Sequence, residues 1–337
     1  MASNPVLARL MRNGLVENSH HGSFCISDDR GNVIAARGDV ERRIFPRSAI
    51  KSMQALALFS SGAVERFGLD ARDIAIASAS HHGETAHVEA ARALLEKIGC
   101  MEDDLQCGTH APTNRAARND LFAAALKPSP IHNNCSGKHA GMLAVAKALG
   151  APARGYWQAD HPVQQLVKSH VQRLIGQQLL PGHCAIDGCS IPTYAAPLKS
   201  FALGFARMAS GAGIDREDRK ASQVIFDAML KNPFLVGGTG SFDSDAMEMF
   251  GEELVCKIGA EGVYCGLLPR KGLGFALKCG DGNMLAARVM VAAMLEEHAE
   301  PDAAQKDFLQ EHQSVVVKNW RGLQVAAMVS VSGDSGW

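Results

Sequence analysis

Strands at both ends of the chain and helices between them predict a mixed α/β (α+β) fold, in which one antiparallel sheet from N- and C-terminal strands packs with a helical subdomain. Two observations carry this. Short apolar runs bounded by Gly, Asn and Asp occupy 15–37, 254–279 and 314–329. Between about 46 and 251, apolar residues recur instead at helical spacing. No internal repeat or low-complexity linker divides the chain, so the expected unit is a single domain over 1–337. Its sheet portion is expected at 1–45 and 252–337, and its helical portion at 46–251.

Composition narrows the partner. The 337 residues, 47% of them hydrophobic, can bury a sizeable core. The 34 basic and 35 acidic residues leave a net charge of -1 without a long run of either sign, which argues against nucleic acid and against a polybasic membrane patch. A small-molecule partner is expected. The first residues contain no apolar core of signal-peptide length, and no later stretch approaches the roughly eighteen uncharged apolar residues of a span, so the expected location is cytoplasmic with no membrane contact. Nine cysteines at irregular spacings, with no C-x-x-C, read neither as a disulfide framework nor as a zinc ribbon. Cys25, Cys256, Cys265 and Cys279 fall in strand-like runs and read as small buried apolar groups.

In chain order, an amphipathic start leads to a strand over 15–27, a turn at 28–31 and a partner strand over 32–37. A helix is expected to begin near Ser48, after Pro46. The apolar run 73–80 reads as a short buried strand ending in polar Ser80, His81, His82 and Glu84. Helices are expected over 84–98 and 114–126, and over 138–150 with Gly150 closing the last. Others are expected over 162–178, 192–210 and 215–231 before the glycine-rich 236–241. Strands follow over 254–259, 262–267 and 274–279, with a turn at Asp281 and Gly282. The chain then gives a helix over 284–297, a polar helix, and strands over 314–318 and 323–329.

Chemistry concentrates in four stretches. R-S-A-I-K (47–51) places Ser48 and Lys51 three residues apart on one helical face. A buried lysine loses its proton readily enough to serve as the base that a serine nucleophile needs. Ser80 repeats this logic, and Lys257, in a terminal strand, is the lysine best placed by pattern to serve it. Because strand side chains alternate, Lys257 points away from Cys256 and Ile258, and faces solvent if those two face the helices. The stretch 132–139 offers backbone N–H groups at a tight helix start, but His139 stands where a phosphate loop needs Ser or Thr. Residue chemistry alone leaves Cys135 and Cys189 as buried thiols, as metal ligands drawn from distant segments with His132, His139, His183 and Asp187 nearby, or, for Cys135, as a nucleophile.

Five motifs taken together, R-N-G-L-V-E-N-S-H (12–20), R-S-A-I-K (47–51), A-S-H (79–81), N-C-S-G-K-H-A-G-M (134–142) and D-G-C-S-I-P-T (187–193), resemble the class 3, rhizobial-type L-asparaginase family. The resemblance covers nearly the whole chain. It implies a serine β-lactamase/glutaminase-like fold, a homodimer, and hydrolysis of the side-chain amide of L-asparagine to L-aspartate and ammonia. It further implies two Ser-Lys tandems, Ser48 with Lys51 and Ser80 with Lys257, and a zinc ion held by Cys135, Lys138 and Cys189. Arg47, His139, Asp187 and Gly240 are the implied substrate contacts. The sequence departs from the family near its glycine-rich loop, where Asp243 or a neighbour occupies a position expected to carry cysteine. Two other readings fit the S-x-x-K pattern less fully: a serine peptidase or penicillin-interacting hydrolase, and a non-catalytic zinc- or amino-acid-binding protein.

Overall fold

The structure is a computed structural model that describes residues 4–331; the outermost ends of the expected sheet portions, 1–3 and 332–337, lie outside it. Its centre is an eight-stranded antiparallel sheet built from the two ends of the chain. Across the sheet the order is Ser314–Lys318, Gln324–Ser330, Val6–Arg12, Leu15–Ser27, Leu273–Cys279, Val263–Leu268 and Val255–Gly259. The eighth strand, Val33–Arg37, pairs with the second half of Leu15–Ser27. The expected fold class, mixed helix with one antiparallel sheet, is the one present.

Strand Val6–Arg12 was not expected; 1–14 read only as an amphipathic start. Arg12 pairs with Leu15 across Asn13 (φ 46°) and Gly14 (φ 80°), a two-residue hairpin loop with positive φ at both centres. Asn-Gly is the sequence signal for that loop. A second expectation is overturned at 73–80: the run is a helix, Ala71–Ala77, not a strand. Asp70 caps its first turn by accepting from Arg72 N and Asp73 N, while Asp73 returns the favour to Asp70 N. The helix is too short and too buried for its apolar residues to show a helical period. A third correction lies at 192–197, where Pro192–Tyr194 and Ala196–Pro197 are short strands and the helix starts only at Leu198.

Both faces of the sheet are covered where Val255–Gly259, Val263–Leu268, Leu273–Cys279 and the second half of Leu15–Ser27 lie side by side, whereas Val33–Arg37, Ser314–Lys318 and the first half of Leu15–Ser27 are largely exposed. Val255, Val263, Cys265, Leu267, Ala276 and Cys25 face the helical portion, and Cys256, Tyr264, Phe275, Leu277 and Phe24 face the opposite layer of Phe242–Phe250, Met284–His298 and Ala303–Gln313. Successive side chains of these covered strands enter the two layers in turn. Among the described residues, no helix is long and apolar enough to cross a membrane.

Candidate active site

Four segments converge beside the edge strand Val255–Gly259. The first is the short 3-10 turn Arg47–Ile50, which carries Ser48 and delivers Lys51 as the first residue of helix Lys51–Ser60. Arg47 holds φ 53°, a left-handed conformation that costs free energy in a non-glycine residue and must be held by its surroundings. The edge strand lies close against this turn: a Cβ on Gly259 would come within 2.5 Å of the Pro46 carbonyl oxygen.

The second segment follows helix Ala71–Ala77. Ser80 N donates to Val236 O (2.9 Å) and His81 N to Asn134 O (3.2 Å), so Ser80 is pinned between the glycine-rich loop and the third segment. That third segment places Cys135 at the start of the buried helix Ser136–Ala148, where Cys135 N donates to Asn133 Oδ1. Gly137 is required here, since a Cβ would sit 2.2 Å from Ile76 O. The fourth is the turn 187–191, closed by Asp187 N to Ile191 O and Ser190 N to Asp187 O, both 2.8 Å, with Ser190 at φ 79°. It holds Cys189.

Lys51 is the hub. The residue is 1% exposed, and its Nζ donates to Ala79 O, to Ser80 Oγ at 2.9 Å and toward Cys135 Sγ at 3.2 Å. Ser48 Oγ makes no hydrogen bond with it among the described residues. The amine's hydroxyl partner is thus Ser80, not Ser48 as the expected first tandem had it. Burial lowers the Lys51 pKa to about 8; the neighbouring Cys135 thiolate opposes this, and the charges of Lys138 and Lys257 add to it.

Lys257 lies on the face shared with Val255 and Gly259, turned toward the Ser48 turn. It is buried, because both sides of the sheet are covered and the solvent-facing alternative does not arise. Its Nζ does not bond Ser80 among the described residues. It meets Asp243 Oδ2 at 3.1 Å and Ile258 O at 3.3 Å, and the same carboxylate oxygen accepts from Ile258 N at 2.7 Å. Both side chains of the ion pair are fully buried, and Asp243 Oδ1 has no partner. Asp243 therefore owns the charge beside Lys257.

The three residues expected to hold zinc are together. Lys138 Nζ lies 2.8 Å from Cys189 Sγ, and Lys51 Nζ lies 3.2 Å from Cys135 Sγ. The neighbouring Cys189 thiol, with the Lys138 and Lys51 charges, holds Cys135 well below its usual pKa, while Cys135 and burial push Cys189 up. Burial works against charge on Lys138, but Cys135, Cys189 and Asp187 outweigh it and raise its pKa. Two sulfurs and an amine form a donor set suited to zinc once the thiols and the ammonium give up their protons.

The expected substrate contacts divide. Arg47 Nε and Asp187 Oδ1 form a half-buried ion pair at 2.5 Å beside Cys189. His139 is wholly buried, with Nδ1 2.7 Å from Tyr156 Oη and Nε2 unpartnered; burial, with Lys138 and Lys51, keeps its pKa well below the usual value and its ring neutral. Gly240 is exposed, with open space where a Cβ would be. Gly238 is the cradled glycine instead, its Cβ position 2.6 Å from Glu84 Oε1, and Thr239 ties the loop to Glu84 through its N (2.9 Å) and Oγ1 (2.6 Å). The Glu84 anchor, Tyr156 and Asp243 as an ion-pair partner are contacts between distant segments that spacing does not show.

The sequence matches the L-asparaginase II family over residues 8–330. The chain belongs to that family. This agrees with the resemblance of its five motifs, and membership supports an amidohydrolase role. Among curated proteins none matches. Among the solved structures that align with it, three at 13% identity span the range of likeness. Mglu in its native form aligns over 88% of this chain and 69% of that one, with a TM-score of 0.47. A Bacillus glutaminase aligns over 82% and 90%, at 0.39. The octameric penicillin-binding protein homologue from Pyrococcus abyssi aligns over 93% and 82%, at 0.32.

Proposed function

We propose that this chain hydrolyses the side-chain amide of L-asparagine to L-aspartate and ammonia, with Lys51 as the group that moves the proton. The observation carrying this is the buried Lys51 amine, lowered to about 8 and already 2.9 Å from a serine hydroxyl. Ser48 Oγ attacks the amide carbon and its proton passes to Lys51 Nζ. Lys51 returns that proton through Ser80 Oγ to the departing nitrogen, which leaves as ammonia. Water, deprotonated by the same amine, then cleaves the Ser48 ester and releases the carboxylate. Lys257, fixed by Asp243, supplies a cation beside this path in place of the second base that the Ser80–Lys257 tandem implied. The Arg47–Asp187 pair offers one charge to each end of the amino acid's zwitterion.

Cys135, Cys189 and Lys138 would hold a zinc ion, which when bound would supply a Lewis-acid position beside the site and favour substrate binding. Its affinity falls with pH, because all three ligands take up protons. A homodimer in the cytoplasm remains the assembly and location we propose.

A second reading has its own support. The Lys51–Ser80 hydrogen bond makes Ser80 the hydroxyl primed for attack in this structure. Ammonia release from asparagine, compared with glutamine and a chromogenic β-lactam, tests the reaction; hydrolysis of the lactam alone would sink it. Trapping the acyl-enzyme and locating it by peptide mass separates the serines. Label on Ser48, with loss of turnover in Ser48→Ala and intact folding, is expected; label on Ser80 selects the second reading.

A further inference from the structure

The sheet carries a second cluster of metal-binding side chains that the proposed reaction does not use. In the pairing of Leu15–Ser27 with Leu273–Cys279, Cys279 stands opposite Gly22, and Gly280 N donates to His21 O at 2.6 Å as the chain enters its turn. The turn that follows carries Asp281 to His20, which lies two residues before Gly22 on the same face of Leu15–Ser27. His20 Nδ1 lies 2.6 Å from Asp281 Oδ2, Cys279 Sγ lies 3.0 Å from Asp281 Oδ1, and the three ligand atoms are all within 4.8 Å of one another. Cys279 and His20 are buried, whereas the Asp281 side chain is half exposed.

We propose that His20 Nδ1, Cys279 Sγ and an Asp281 carboxylate oxygen form a binding site for a zinc-class divalent cation, separate from the Cys135–Cys189 cluster. An imidazole, a thiolate and a carboxylate are the three ligand types this class of ion takes, and three of them leave a fourth position for water. Ion–ligand bonds of about 2.0–2.3 Å in tetrahedral array separate ligand atoms by roughly 3.3–3.7 Å, so the contacts present need to open by about 1 Å or less. Asp281, in an exposed turn, is free to make that shift. The turn borders a surface cleft of about 430 Å³ lined by Asn4, Ser19, His21, Arg42, Gly280 and Asp281, which gives an ion access from solvent.

In the metal-free arrangement protons hold the cluster together, with the imidazole and the thiol both bonded to the one carboxylate. On binding, the Cys279 thiol proton is released to solvent and the His20 proton moves from Nδ1 to Nε2. Nε2 is buried without a partner, so the ring lacks the outer hydrogen bond that usually supports a histidine ligand. Such a missing support weakens a site by about 10- to 100-fold, which makes this an exchangeable metal and not a permanent one.

The test uses the full chain, stripped of metal and titrated with Co(II). Wild type is expected to bind one equivalent more than Cys279→Ser or Asp281→Asn, with the corresponding share of thiolate-to-cobalt absorbance missing from Cys279→Ser. Ammonia release from asparagine should be unchanged in both variants. Asp281→Asn alters a half-exposed group and carries the test if the buried Cys279→Ser variant misfolds. Equal cobalt stoichiometry in wild type and Asp281→Asn, with equal absorbance in a folded Cys279→Ser, overturns the site.

Discussion

Lys51→Met is expected to lower kcat/KM for L-asparagine by about 10²- to 10⁴-fold, the usual contribution of a positioned general base. Methionine matches the length of the lysine stem and is at home in the buried volume under helix Lys51–Ser60. It removes only the amine that joins Ser80 Oγ, Ala79 O and Cys135 Sγ. Folding should therefore survive, and urea unfolding of the variant separates lost chemistry from lost structure. Lys51→Arg is the sharper control. A guanidinium keeps the positive charge yet cannot give up a proton near neutral pH. It should be as inactive as Lys51→Met if the amine acts as a base. Activity within a few-fold of wild type in either variant would remove Lys51 from the reaction.

Asp243→Ala is expected to destabilise the fold by about 3–5 kcal/mol, the range found when one partner of a buried ion pair is deleted and the other is left uncompensated. The Lys257 ammonium would keep only its contact with Ile258 O, and Ile258 N at the sheet edge would lose its acceptor. Removing the lysine as well should recover much of the loss: Lys257→Met added to Asp243→Ala is expected to be more stable than Asp243→Ala alone. Asp243→Asn retains the acceptor for Ile258 N and isolates the charge. Chemical unfolding of wild type, Asp243→Ala, Lys257→Met and the double variant checks this cycle, and additive single and double losses would mean the two side chains do not depend on one another.

The fold was legible because the terminal strands announce themselves. Turn residues punctuate apolar runs at Asp28, Gly31, Asp281 and Asn319, and each marks a real chain reversal. The helices at Thr85–Lys97 and Arg216–Lys231 likewise follow their apolar spacing, and Ser136–Ala148 its run of small apolar residues closed by Gly150. What failed did so for local reasons. Helix Ala71–Ala77 is buried nearly all round, so its residues carry no polar face to betray a period. Strand Val6–Arg12 lies within a short stretch whose hairpin signal, Asn13-Gly14, was outweighed by its mixed polarity.

In the site, residue types were legible and partners were not. The spacing of Ser48 and Lys51 follows from one turn of chain, but the direction of the Lys51 amine is set by Ala79 and Ser80, in the loop after helix Ala71–Ala77, and by Cys135, at the entry to helix Ser136–Ala148. Lys257 reads ambiguously because strand alternation fixes which residues share a face without saying whether that face is covered. The turn Arg47–Ile50 of the helical portion packs against this strand and covers that face, and helix Phe242–Phe250 brings Asp243 to the lysine.

The pH dependence of kcat/KM for L-asparagine tests the role of Lys51 most directly. Burial, the Lys138 and Lys257 charges lower its pKa to about 8, so the amine is protonated and idle below that value and becomes a base above it. His81 and His139 are held well below their usual range by burial and do not titrate in this window. The account predicts a limb that climbs about tenfold per pH unit at low pH, bends near 8 and is level above 9. A profile flat from pH 6 to 9, or one still climbing toward the ordinary lysine value near 10.5, would contradict it.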